Sequence, residues 1–156
     1  MATLRKRKGK WTVSIRKKGV RPVYQTFTNK SDARSFINKV ESDIQQKKYK
    51  DISEAANTTF KVALHRYVRE KIENKTDKQR ERSKLNVILR HHIVKHNLSE
   101  LKTSDFAKYR DERMKAGITN STINRELSAM RVAIQTSIDE WDCYIPENPV
   151  KSLIKL

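Results

Sequence analysis

From Lys10 to Arg16 the chain alternates, with Trp11, Val13 and Ile15 on one side of an extended segment and Lys10, Thr12, Ser14 and Arg16 on the other. That period of two predicts a strand with one packing face and one polar face. Lys8-Gly9 before it and Lys18-Gly19 after it read as tight turns, which puts a first strand at Ala2 to Arg7 and a third near Pro22 to Phe27 in an antiparallel sheet. After Phe27 the rhythm becomes helical. Asn29 or Ser31 can cap a helix from about Lys30, and Ala33, Phe36, Ile37, Val40 and Ile44 make a stripe that would cover the sheet.

Between Tyr49 and Thr58 the apolar rhythm lapses, so 50–58 is predicted to be a linker, with room for a short helical turn. Everything beyond reads as helix. Thr58 or Thr59 caps a segment carrying Phe60, Leu64, Tyr67, Val68 and Ile72, and Asp77 opens one carrying Leu85, Ile88, Leu89 and Ile93. Thr103 or Ser104 caps a third with Phe106, Tyr109 and Met114, ended by Gly117; Asn120 or Ser121 starts the last, with Ile123, Leu127, Met130, Ile134, Ile138 and Trp141. The predicted fold class is α+β: a three-stranded antiparallel sheet with one helix over 1–49, then an all-α four-helix bundle over 59–156.

Charge sharpens the division. Residues 1–50 hold 15 Lys and Arg against 3 acids, a net of +12 within a chain total of +17. Nine of the first twenty-one residues are Lys or Arg and none is acidic. Such an excess suits nucleic acid or an anionic membrane surface, and the strand period argues against the amphipathic helix that would lie on a bilayer. Cys143 is the single cysteine, which excludes a disulfide framework and a cysteine zinc cluster. No apolar run approaches the ~20 residues of a membrane span, and the first ten residues lack a signal peptide's apolar core. A cytoplasmic, nucleoid-associated protein is expected, with no cofactor and no small-molecule ligand.

The candidate DNA-binding residues follow from these faces. On the sheet they are Arg5, Arg7, Lys10, Thr12, Ser14, Arg16, Tyr24 and Thr26, because an exposed β-ribbon can enter the major groove. The bland alternative is a solvated face. Trp11 shares the face of Val13 and Ile15 and reads as core. In the helices, Asn120, Ser121, Thr122, Asn124 and Arg125 lie at a helix N-terminus, where free amides favour phosphate, against the alternative that Ser121 only caps and that Arg125 and Glu126 are solvated. Arg80 and Lys84 could form a second jaw. His91 and His92 read as packing or surface residues, since neighbours on a helix point apart, and no metal site is expected.

The order basic sheet, Thr26-Phe27 with Lys30 and Ala33 at a helix head, linker, then helices resembles the N-terminal half of phage-type tyrosine recombinases (integrases). The helical part carries the more specific likeness: Leu101-Lys102-Thr103-Ser104-Asp105-Phe106, Tyr109-Arg110, Ser121-Thr122-Ile123-Asn124-Arg125-Glu126-Leu127, Met130-Arg131 and Glu147-Asn148-Pro149-Val150 are similar to the family's core-binding domain. The resemblance implies an arm-binding domain followed by a SAM-like core-binding domain, with Arg131 added to the DNA-contacting set and double-stranded DNA, at arm-type and core-type sites, as partner. Self-association on DNA is left open. The chain departs from the family where Val94-Lys95-His96-Asn97 replaces a turn that often holds Pro and Gly.

The family's chemistry needs a Tyr nucleophile with Arg, Lys and His around the scissile phosphate. No His-x-x-Arg box occurs here, since Val68, Val94, Lys95 and Ser99 stand three places after the four histidines. Tyr144 has no such partners. The chain is therefore expected to be an N-terminal, DNA-holding portion of a recombinase with the catalytic domain absent. A catalytically silent regulator of recombination and a basic RNA-binding protein are the alternatives; the latter would display more aromatics on the sheet than Tyr24.

Overall fold

The computed structural model describes residues 1–17, 20–46, 48–151 and 153. It divides into two compact units, Met1–Asp51 and Ile52–Leu156.

In the first unit β1 (Ala2–Arg7), β2 (Lys10–Lys17) and β3 (Val20–Phe27) form an antiparallel sheet in sequence order, followed by α1 (Lys30–Gln45). Lys8 and Gly9 both take positive φ, 48° and 77°, so the first hairpin closes through a two-residue turn whose twist matches the strands, with Arg7 opposite Lys10. The Lys18-Gly19 turn lies outside the described residues. β3 begins at Val20, two residues before the expected Pro22; that proline sits on an edge strand beside the register shift between Ile15 and Lys17, where no ladder donor is needed from it. The predicted alternation is realised. Val13 and Ile15 are buried with Ala33, Val40 and Ile44, and Trp11, Phe27, Phe36 and Ile37 pack around them. Phe27 and Phe36 meet at 5.2 Å between ring centres.

The helical unit begins earlier than the apolar pattern suggests. Inside the expected linker, α2 (Ser53–Asn57) places Ala55 fully inside this unit's core, and the two units part at Asp51. The short helical turn allowed for in this segment is present, and Ala55 is what it buries among the described residues. α3 (Phe60–Tyr67) starts from Thr59, whose hydroxyl accepts the Val62 amide, and runs into a π-helical turn over Val68–Ile72. α4 (Lys78–Leu89), α5 (Thr103–Lys115) and α6 (Asn120–Glu140) complete the unit.

Between α4 and α5 the segment without Pro or Gly forms two 3₁₀ turns, His92–Lys95 and Leu98–Glu100. It is tied to the start of α3 by Phe60 N–H donating to His96 O and Leu98 N–H to Thr58 O, both at 2.9 Å. Three helix-level expectations need correction. α5 is capped at Lys102, whose N–H donates to the Asp105 carboxylate at 2.9 Å, rather than at Thr103 or Ser104. α6 starts at Asn120 as expected, but its cap is Thr119, whose hydroxyl accepts the Thr122 amide, and not Ser121. Met114, expected in the core, is 44% exposed, one position on from Arg113, which with Tyr109 is the part of α5 bonded to α6. Gly117 ends α5 as expected: at φ 75° its N–H reaches Met114 O while Ile118 N–H reaches Arg113 O, the paired closure that left-handed glycine permits.

After α6 the chain folds back. Asn148 is buried, its Nδ2 donating to Arg131 O at 2.9 Å and its Oδ1 accepting Val150 N–H, while Thr103 Oγ1 donates to Pro149 O at 2.9 Å. The Glu147-Asn148-Pro149-Val150 element is thus a clip joining α6 to the head of α5. Among the described residues no helix is long and apolar enough to cross a membrane.

Candidate nucleic-acid interface

Strand register decides which side chains share the open face of the sheet. Arg5 lies opposite Thr12 and Thr12 opposite Thr26; Ser14 lies between Thr3 and Tyr24; Arg7 faces Lys10. All eight predicted sheet residues therefore stand on one face, away from Val13 and Ile15. Thr3, Arg5, Arg7, Thr12, Ser14, Arg16 and Tyr24 border a shallow hollow of about 680 Å³ there. No strand contains an acid, so nothing on this face offsets its cations. Arg16 is oriented: its Nε and one terminal nitrogen donate to Tyr24 Oη at 3.2 and 3.0 Å, although Tyr24 is 56% exposed. Such a face can neutralise phosphates with Arg5, Arg7 and Lys10 and present the Thr and Ser hydroxyls to base edges. Trp11 is half-buried on the opposite face, with Lys6 and Lys30 amines 5.8 and 5.1 Å from its ring centre.

In the helical unit, the period of α6 sends Ser121, Asn124, Arg125, Ser128 and Val132 to one flank of its buried stripe. That flank and the Glu81–Lys84 turn of α4, with Tyr67 and Lys75, line a groove of about 640 Å³. Ser121, Asn124, Arg125 and Lys84 line it together. Arg80 does not line the groove; it is highly exposed beside Asp77 at 3.8 Å. Asn120 and Thr122 lie on the first turn of α6, exposed, with Thr122 Oγ1 sharing a hydrogen with the Thr119 cap. Arg131 borders a second, smaller cleft with Asn124, Ser128 and Lys151.

Glu126 overturns the reading that leaves it solvated beside Arg125. It is 2% exposed, accepts Tyr109 Oη at 2.8 Å, and is held by Arg113 through two hydrogen bonds of 3.0 and 2.7 Å. Burial first, and then the Glu126 carboxylate, push the Tyr109 hydroxyl pKa well above its usual value. Tyr109 and Arg113 on Glu126 thus lock α5 to α6. An acid next to an apolar stripe with Tyr and Arg spaced by four on the preceding helix was the only sequence signal for it.

The histidines depart from the helical argument. α4 ends at Leu89, so His91 and His92 are not successive helical positions, and their rings lie 4.1 Å apart. Together with Glu112 they bring three ligand-type atoms within 4.8 Å of one another. The donor set does not fit a metal, however: His91 Nδ1 accepts the Ile93 amide at 3.1 Å, so the ring's proton is on Nε2, facing Glu112 at 2.8 Å. Ligation through Nε2 would force two N–H groups against each other at Nδ1. Cys143 is buried, and burial raises its thiol pKa.

Comparison with known proteins adds an independent line. Residues 57–156 match the family model described as "Phage integrase, N-terminal domain". The chain is also 30% identical over 155 residues, 99% of its length, to a Haemophilus influenzae protein named "Putative integrase/recombinase", and it spans 40% of that relative. No solved structure matches the chain.

Proposed function

The chain belongs to the phage integrase family, and from that premise we propose that it is a DNA-holding part of a site-specific recombinase. The sheet unit grips one duplex segment through its open face, and the helical unit grips a second through the α4–α6 groove. A single observation carries this reading: Arg5, Arg7, Lys10 and Arg16 stand on one exposed sheet face amid hydroxyl side chains, with no acid in any of the strands. A solvated surface evolved only for solubility has no need to segregate its charges from every acid or to hold Arg16 on Tyr24. The 156 residues supply duplex positioning and no strand cleavage, since no His-x-x-Arg box occurs and Tyr144 is half-buried.

Titration of labelled duplexes at several salt concentrations tests the proposal. Random-sequence duplex should bind with an affinity that falls linearly in log–log form with salt, and sequences enriched from a random pool should bind more tightly at fixed salt. Incubation of those enriched duplexes, nicked so that cleavage traps the protein, should yield no covalent adduct. Binding that is indifferent to salt, or an adduct, would sink the reading.

A further inference from the structure

One acid stands among the cations of the α4–α6 groove. Glu81 and Lys84 lie a turn apart on α4, Lys84 Nζ donates to the Glu81 carboxylate at 2.8 Å, and both side chains are about three-quarters covered, at 28% and 24% exposure. Glu81 also faces Tyr67, whose hydroxyl pKa is raised first by burial and then by the Glu81 charge. For a surface that merely attracts phosphate, this arrangement is counterproductive: the carboxylate repels the polyanion and occupies a lysine that would otherwise neutralise it. What the pair does present is a hydrogen-bond donor beside an acceptor, with no net charge.

The major-groove edge of a G·C pair is the complement of that arrangement. Guanine offers N7 and O6 as adjacent acceptors, and the N4 amino group of cytosine follows as a donor. An ammonium can donate to both guanine atoms while the carboxylate accepts from cytosine. An A·T edge in the same orientation fits less well, because the adenine N6 amino group would meet the ammonium and thymine O4 the carboxylate, donor against donor and acceptor against acceptor. We propose that Glu81 and Lys84 together select one G·C base pair, Lys84 donating to guanine O6 and N7 and Glu81 accepting from cytosine N4. Glu81 at the same time keeps phosphates out of this part of the groove, trading non-specific affinity for selectivity. The inference rests on the reading of the groove as a DNA-contacting surface.

The test uses the whole chain as wild type, Glu81→Gln and Lys84→Gln, each checked for folding by circular dichroism, and a duplex pool with randomised positions. Wild type should enrich sequences containing one invariant G·C pair; both variants should lose that preference, by roughly tenfold or more at that position, and keep the others. On a single random-sequence duplex the variants should diverge. Glu81→Gln frees Lys84 for phosphate, so binding should tighten and the salt slope steepen by about 0.9. Lys84→Gln should not tighten it. An unchanged preference in Glu81→Gln, equal weakening of random and selected duplexes, or an invariant A·T pair in place of G·C would overturn the assignment. If wild type enriches nothing over the starting pool, the DNA reading of the groove itself falls.

Discussion

On the sheet of the first unit Arg5, Arg7, Lys10 and Arg16 face outward from strands that contain no acid, whereas on the second unit cation after cation has an acid beside it: Arg66 with Glu70, Lys71 with Glu140, Arg82 with Glu73, Lys84 with Glu81, Arg113 with Glu126. Under the proposed DNA-holding role, the difference assigns non-specific attraction to the sheet unit and selectivity to the helical one. Uncompensated charge attracts any duplex, and its effect is screened by salt. A cation already paired within the protein, as Lys84 is with Glu81, attracts little, so under the proposed role that part of the groove discriminates through hydrogen-bond geometry. The cores differ in the same sense. Among the described residues the sheet unit buries Val13 and Ile15 against Ala33, Val40 and Ile44 of one helix, while the helical unit closes around Phe60, Leu85, Phe106, Tyr109, Met130 and many others.

The strongest way to separate the units is to break the buried pair in one of them. Glu126→Gln leaves Arg113 partly buried without its counter-charge and should destabilise the helical unit by about 3 kcal/mol. Each unit holds one tryptophan, Trp11 and Trp141, so urea unfolding of Trp→Phe variants reports them separately. The Trp141 transition should move and the Trp11 transition should stay. Joint movement would mean that the comparison describes a single cooperative structure.

A smaller effect sharpens the contrast in binding. Arg125→Ala should cost roughly 1–3 kcal/mol on sequences enriched by the full chain if it reads a guanine edge, with little change on random duplex. Arg5→Ala should weaken all duplexes alike and lower the salt slope by about 0.9. Should the two substitutions behave identically, the units do not divide the work between geometry and charge.

The mildest expectation concerns acid. Hydrogen bonds from His91, Arg82 and Arg66 lower the pKa values of Glu112, Glu73 and Glu70 respectively. A depressed folded pKa gives stability that is present above the ordinary carboxylate value, near 4.3, and lost as pH falls through the folded one. The thermal midpoint followed at Trp141 should therefore decline as pH drops below about 4, and Glu112→Gln should flatten that decline slightly. A steeper acid loss at Trp11 would reverse the comparison.

Much of this architecture was legible because it is written in local periods. The alternation around Trp11, Val13 and Ile15 set the sheet's two faces, and with them the eight-residue open face, since register can slip by one only at the cost of turning the whole core outward. Helix stripes such as Ile123, Leu127, Met130 and Ile134 named the core of α6 for the same reason. Less legible were features with too little local signal. α2 has only Ala55 to bury, and the caps at Lys102 and Thr119 lie ahead of the expected Thr103 or Ser104 and of Ser121 because several neighbouring residues could each satisfy the first free amides.

By itself, then, the amino-acid order determined the strands and helices, their packing faces, the left-handed stops at Gly9 and Gly117, and the one-sided charge of the sheet. Tertiary structure alone decided what stands opposite each flank. Glu126 became a buried clasp because α5 delivers Tyr109 and Arg113 to it; His91 and His92 came ring to ring because α4 stops at Leu89; Lys84 met Arg125 across a groove because α4 lies beside α6. A residue's period gives the direction of its side chain from its own axis. Which distant segment fills that direction depends on helix–helix placement, and no local pattern encodes it.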